Sequence, residues 1–249
     1  MFKSKVKRES DQFLINKKLM EKLITKRNML IERAIEKSNQ KRDRFKSRGQ
    51  LSPRERLNAI LDSDTFFLEL YNMANYLVED TNHDTSIPGA NLIAGIGYIS
   101  GVKCMIMIDD SGIKAGAASE ATIDKALGCL DIALKQKLPC VHLVESAGVD
   151  LPNYSVKLWS KFGSVFYKKA KLSAAGIPVI AILHGFSTAG GAYQIGMSDY
   201  VIGVKGNGMA ALAGSALLKA ATGENASNSD IGGVEMHSVV TGSVEYLVN

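Results

Sequence analysis

The sequence predicts an α/β fold carried behind a helical N-terminal extension. From residue 90 onward, short and nearly continuous apolar runs alternate with helix-period stretches, as buried strands layered with helices do. Before residue 48, apolar residues recur at three- and four-residue steps instead. A chain of 249 residues, 46% apolar and 22% charged, has room for one large domain or one domain and an appendage.

Residues 12–47 read as one long helix. Met20, Leu23, Ile24, Arg27, Ile31, Ala34 and Ile35 share a face, with no Gly or Pro between them. That stripe needs something to pack on, either the main domain or another subunit. Gly49 stops the helix, and Ser52-Pro53 followed by Glu55 marks the cap and first turn of a second one ending near Leu61. "LIAGIGYIS" and "VKCMIMID" are strands split at Ser100-Gly101, a hairpin signal. Next come a helix from about Glu120 to Lys137 (Ala121, Ala126, Leu127, Leu130 and Leu134 on one side), the strand "CVHLVES" and a helix from about Val156 to Ala175. The strand "PVIAILH", a short helix from about Ala189 and the strand "DYVIGV" follow. Strand, turn and helix recur roughly every forty residues without a sequence repeat.

Composition excludes several classes. Cys104, Cys129 and Cys140 lack CxxC spacing, which argues for buried reduced thiols rather than disulfides or a zinc site. No metal is expected. No run approaches the roughly 18 apolar residues that span a bilayer, and "MFKSKVKRESDQF" has no apolar signal-peptide core. The expectation is a cytoplasmic chain without a membrane partner. Residues 1–48 carry 16 Lys and Arg against 6 Asp and Glu, whereas the remainder carries 14 against 19. The basic residues alternate with Leu, Ile and Met, with few aromatics and no glycine, so a solvated helix is expected rather than nucleic-acid binding.

Familiar motifs fail on inspection. "GIGYISG" has Ser100 where a dinucleotide fingerprint needs its third glycine, and a strand follows it. "SGIK" stands without the rest of its penicillin-binding set. His83, His142, His184 and His237 are scattered, and His142 and His184 sit within apolar strands as core or edge residues.

The stretch "FSTAGGAYQIGMSD" offers different chemistry. It places Gly190 and Gly191 at the first turn of a helix, where N–H groups lack internal partners and negative charge is favoured. Such amides can hold an oxyanion without any reactive side chain. The same glycines could instead serve close helix–strand packing. "ESAGVDLP" makes a similar small-residue turn after the preceding strand.

Five segments then occur in a recognisable order: "SRGQLSPRERL", "SGIKAGA", "LPCVHLVESAGVDLP", "KLSAAGIPVIAILHGFSTAGGAYQIGMSDYV" and "LLKAATGE…IGGVEMH". From about Asn39 to Asn249 the chain resembles the carboxyltransferase β subunit of biotin-dependent acyl-CoA carboxylases, the group that includes the propionyl-, methylcrotonyl- and geranyl-CoA enzymes. Thr188 to Tyr193 look closer to the methylcrotonyl and geranyl side.

The resemblance implies a crotonase-like spiral of ββα units and carboxyl transfer from carboxybiotin to an acyl-CoA. Gly190 and Gly191 would hold the thioester oxygen as it becomes an enolate. Lys114, Ala115, Ser146, Ala147, Gly148, Ala192 and Tyr193 would line the acyl-CoA site, with Lys114 either meeting CoA phosphates or standing as a solvated loop lysine. Decarboxylated biotin can take the substrate proton, so no strong base is required of the protein. The implied division is a basic helical extension over 1–62 and an N-terminal carboxyltransferase domain over 63–249, with the C-terminal carboxyltransferase domain absent. Implied partners are a separate C-terminal half or second subunit, biotin carboxylase and a carrier protein bearing the biotin, in an oligomer. Two departures stand out. Ser215-Ala216 replaces two prolines, and "GNGMAALAG" has Ala210 and Ala211 where bulk is usual. Two alternatives are a non-catalytic subunit that retains CoA binding or assembly, and a lone crotonase-type hydratase or isomerase using Glu145.

Overall fold

A computed structural model of the chain describes residues 3–150, 153 and 155–249. Leu151 and Pro152, which end the "ESAGVDLP" stretch, lie outside the described residues.

The expected single N-terminal helix is two. Helix α1 (Asp11–Asn39) starts at Ser10, whose side chain accepts from the Phe13 N–H, and α2 (Arg42–Ser47) follows after a break at Gln40 and Lys41. The break has a packing cause. Ser38 turns inward to donate to Asp110 (2.7 Å), and Phe45 is fully buried, so the chain bends to seat both. The apolar stripe is not covered by the main domain over its first half: Leu14, Ile15, Leu19, Met20, Leu23 and Ile24 are exposed, and in α1 only Leu30 and Ser38 are buried. Gly49 adopts φ +66° beyond α2. Helix α3 (Pro53–Ile60) opens on the expected capping box, with Glu55 accepting from the Ser52 N–H at 2.8 Å.

The main sheet has seven strands in the order β1-β2-β3-β4-β5-β7-β9. Strands β1 (Leu68–Glu69), β2 (Leu92–Ile99) and β3 (Val102–Asp109) are antiparallel, and the hairpin turns at Ser100 and Gly101, both at positive φ. From β3 the sheet is parallel through β4 (Cys140–Val144), β5 (Val179–Leu183), β7 (Tyr200–Val204) and β9 (Tyr246–Val248). Helices α4 (Glu120–Gln136) and α5 (Val156–Ala174) make the crossovers and pack together on one face. Their shared core includes Ile123, Ala126, Cys129, Leu130 and Ala133 with Leu158, Phe162, Val165 and Leu172. The α4 stripe is thus centred on Ile123, Cys129 and Ala133, with Leu127 and Leu134 at its margin. The opposite face carries Ile93, Ile106, Ile108, Val141 and Leu143, covered in part by Leu57 of α3. Cys104, Cys129 and Cys140 are free and buried.

A second, two-stranded parallel sheet pairs β6 (Phe186–Thr188) with β8 (Met209–Ala211). Helix α6 (Gly190–Gly196) follows β6 directly. Helix α7 (Ser215–Thr222) then begins where the two prolines were expected, and the Ser215 N–H donates to Asn228 Oδ1 at 2.8 Å. A proline could not make that bond. The turn is held by a side chain instead of a ring.

Candidate functional site

Three turns at the carboxyl ends of the parallel strands converge. The first is 114–118, after β3. Lys114, Ala115 and Gly116 all have positive φ, and a Cβ on Gly116 would lie 2.4 Å from the Glu145 carbonyl oxygen. The second is Ser146-Ala147-Gly148, after β4. Its Ser146 Oγ donates to the Gly116 carbonyl (3.1 Å) and accepts from the Gly148 N–H (3.1 Å). A short bridge joins the two turns: the Ala118 N–H donates to Gly148 O at 2.7 Å, and the Asp150 N–H donates to Ala118 O at 3.0 Å.

The third turn is the start of α6. The Thr188 N–H donates to Ser146 O at 2.9 Å, locking β6 to the second turn. Ala189, the N-cap, sits at φ 50°, ψ −121°, and its N–H is shared between Ala211 O and Leu212 O. A Cβ on Gly191 would lie 3.0 Å from both Cβ and O of Ser146, and a Cβ on Gly190 would lie 2.3 Å from the Phe162 ring. Both glycines therefore permit close packing. Their N–H groups also find no acceptor among the described residues, as the first turn of a helix dictates. Close packing and open amides are thus compatible at the same two positions.

The structure thus gathers Gly190, Gly191, Ser146, Ala147, Gly148 and Ala115 around one spot. Ala192 faces inward, against the core of β5 and β7. Tyr193 is exposed and stacks on Phe166 (centroids 5.5 Å apart), which in turn stands edge-on to Phe162. Lys114 is on the rim, but its ammonium is engaged by Glu79 (2.7 Å) and Asp150 (3.4 Å). Burial lowers its pKa, and these two carboxylates more than offset that, leaving it above the ordinary lysine value. Any phosphate arriving there meets two carboxylates with the lysine.

Glu145 does not face the spot. It is 4% exposed and pairs with Arg56 at 2.7 Å, and a Cβ on Gly185 would collide with its carboxyl carbon. Glu145 is thereby turned away from the position where the hydratase alternative needs its base.

Beneath the turns lies buried charge that sequence reasoning missed. Asp109 Oδ1 accepts from His142 Nε2 (3.1 Å), leaving Nδ1 to accept from Lys169 Nζ (3.4 Å). Lys169 is fully buried on α5, and desolvation brings its pKa down to about 8. Burial would raise the Asp109 carboxyl, but His142, the Glu145 N–H and Lys169 outweigh it and hold it below the ordinary value. The one sequence signal was the presence of His142 within an apolar strand. Lys169 reads as a surface residue of a helix.

The carboxyl transferase domain family model matches residues 44–249. The chain is 39% identical over 244 residues to the methylcrotonoyl-CoA carboxylase beta chain, mitochondrial, of Arabidopsis thaliana, covering 97% of this chain and 41% of that one. It is 43% identical over 204 residues to a probable biotin-dependent acyl-coenzyme A carboxylase beta2 subunit of Mycobacterium tuberculosis, covering 82% and 37%. Among solved structures it resembles the geranyl-CoA carboxylase beta subunit of P. aeruginosa, with a TM-score of 0.89 and 39% identity over 100% of this chain and 45% of that one. The chain therefore spans less than half the length of these relatives. The layered sheet and its crossovers are the crotonase-like fold of carboxyltransferases.

Proposed function

The chain belongs to the carboxyl transferase domain family, and on that premise we propose that it forms the acyl-CoA-binding half of a carboxyltransferase in a biotin-dependent acyl-CoA carboxylase. The observation that carries this reading is the convergence of the 146–148 turn on the amides of Gly190 and Gly191, which have no acceptor among the described residues.

The thioester carbonyl oxygen would sit against those two N–H groups. Loss of a substrate proton puts negative charge on that oxygen, and the amides, held at the start of α6, stabilise the charge without reorganising. Carboxybiotin, carried on a partner protein, supplies the carboxyl group and, once decarboxylated, a base for the substrate proton. The turns of this chain hold and orient the thioester while Ser146, Ala147 and Gly148 close its other side. Ala115 and Tyr193 form the outer wall, and Lys114 stays at the rim with its two carboxylates.

Among the exposed rim side chains Ala115, Ala147, Tyr193 and Lys114, a biotin ring would meet one phenol hydroxyl and one ammonium already engaged by Glu79 and Asp150. We assign the biotin contacts to a second carboxyltransferase half or subunit. Biotin carboxylase and the biotin carrier complete the proposed assembly.

The test is Gly191→Val in carboxylation assays with the second half, the carrier and biotin carboxylase supplied. A side chain there wedges Ser146 from α6, and loss of one oxyanion donor is worth roughly 100-fold or more in rate. Calorimetry with an acyl-CoA should show weakened binding in parallel. A wild type that binds acyl-CoA but never carboxylates it supports the non-catalytic alternative. No binding at all overturns the proposal.

A further inference from the structure

The Gly190–Gly191 amides and the Ser146 turn belong to different elements, so something must set the distance between them. One buried group of side chains reaches both. Asp109 Oδ2 accepts from the Glu145 N–H at 3.1 Å, the residue directly before Ser146. At the other end, Lys169 Nζ donates to Gln194 O at 3.2 Å, inside α6. His142 bridges the two, within 3.1 Å of Asp109 and 3.4 Å of Lys169. Resting on the site reading above, we propose that Asp109, His142 and Lys169 are positioning residues that fix α6 against the 146–148 turn and so set the geometry of the amide pair.

Several observations favour this over a purely structural role. Lys169 and His142 are 0% and 3% exposed, where a buried ammonium or an unpaired polar ring is costly. Apolar residues would fill the same volume without that cost, so the charges are placed for their directed bonds. Those bonds end on main-chain groups of the two elements that make the site. A second anchor, Arg56 to Glu145 at 2.7 Å, grips the same turn from α3. A small, mainly apolar cavity of about 40 Å³ has Asp109, His142, Ser146, Gln194 and Gly116 in its wall. The side chains thus meet the site from directly beneath.

The experiment compares two ligands that differ only at the group the amides contact: butyryl-CoA, a thioester, and S-butyl-CoA, a thioether without the carbonyl oxygen. Wild type should prefer the thioester. Lys169→Met and Asp109→Asn should each lower thioester affinity about tenfold and leave thioether affinity unchanged. The double variant should lose no more than either single one, since both act through one connection. Equal weakening of both ligands, or no change in either, overturns the proposal. If Lys169→Met does not fold, the near-isosteric Asp109→Asn decides alone. A wild type with no thioester preference overturns the site reading itself, whereas a preference that survives in both variants overturns only the positioning role.

Discussion

His184 shows how strongly single buried residues are committed. Arg56 Nη1 stands 3.5 Å from its Nε2, and the ring is 9% exposed. Burial first, and then the Arg56 guanidinium, push its pKa down to about 3. The unfolded chain binds that proton near the usual value of about 6.5 and the native chain does not, so stability falls as pH drops from 6.5 toward 3. A gap of that size corresponds to roughly 4 kcal/mol across the window. Urea midpoints at pH 7 and pH 4 should therefore differ strongly in wild type and much less in His184→Gln. Equal acid losses in both proteins would show that His184 protonates freely in the fold. The sequence placed His184 in an apolar strand, but Arg56 lies 128 positions away, beyond the reach of any local pattern.

At the scale of elements, α6 begins on a strained residue. Ala189 holds φ 50°, ψ −121°, a region that costs a side-chain-bearing residue about 1–3 kcal/mol. Ala189→Gly should raise the unfolding free energy by about 1 kcal/mol in chemical denaturation. A fall would mean that the residue is unstrained. The longer elements were legible because their periods are. The 92–109 hairpin, α4, β4, α5, β5 and β7 all lie within a residue or two of their sequence reading. Two short strands were not. Strands β6 and β8 have three residues each, too few for alternation, and β8 is built from Met and Ala, which carry no strand preference. The site's glycines were legible as a helix start. The group beneath them was not, because Lys169 reaches His142 across 27 positions and Asp109 through it.

On the scale of the whole molecule, the basic extension divides in two. Residues 3–29 include none that is buried, whereas Leu30, Ser38 and Phe45 enter the body of the protein. Arg33 donates to His83 O and Ser86 O, both at 2.9 Å, and Arg44 donates to Ser111 O at 2.7 Å. Removing residues 1–28 should leave the thermal midpoint within about 2 °C of wild type, because surface changes away from packed features cost little. A large drop, measured by circular dichroism, would place hidden contacts in that segment. No described helix is long and apolar enough to cross a membrane.

The site is made of main chain, and this shapes how it would look to a mutational survey. Positions 146–148 and 189–192 are already Ser, Ala and Gly, so alanine there trims only the Ser146 hydroxyl, while at Gly190 and Gly191 it adds a Cβ that meets Phe162 and Ser146. Deficits from losing a side chain would surface mainly at Asp109, His142 and Lys169, in the floor of the molecule. A map drawn only from such side-chain losses would put the proposed centre one layer too deep.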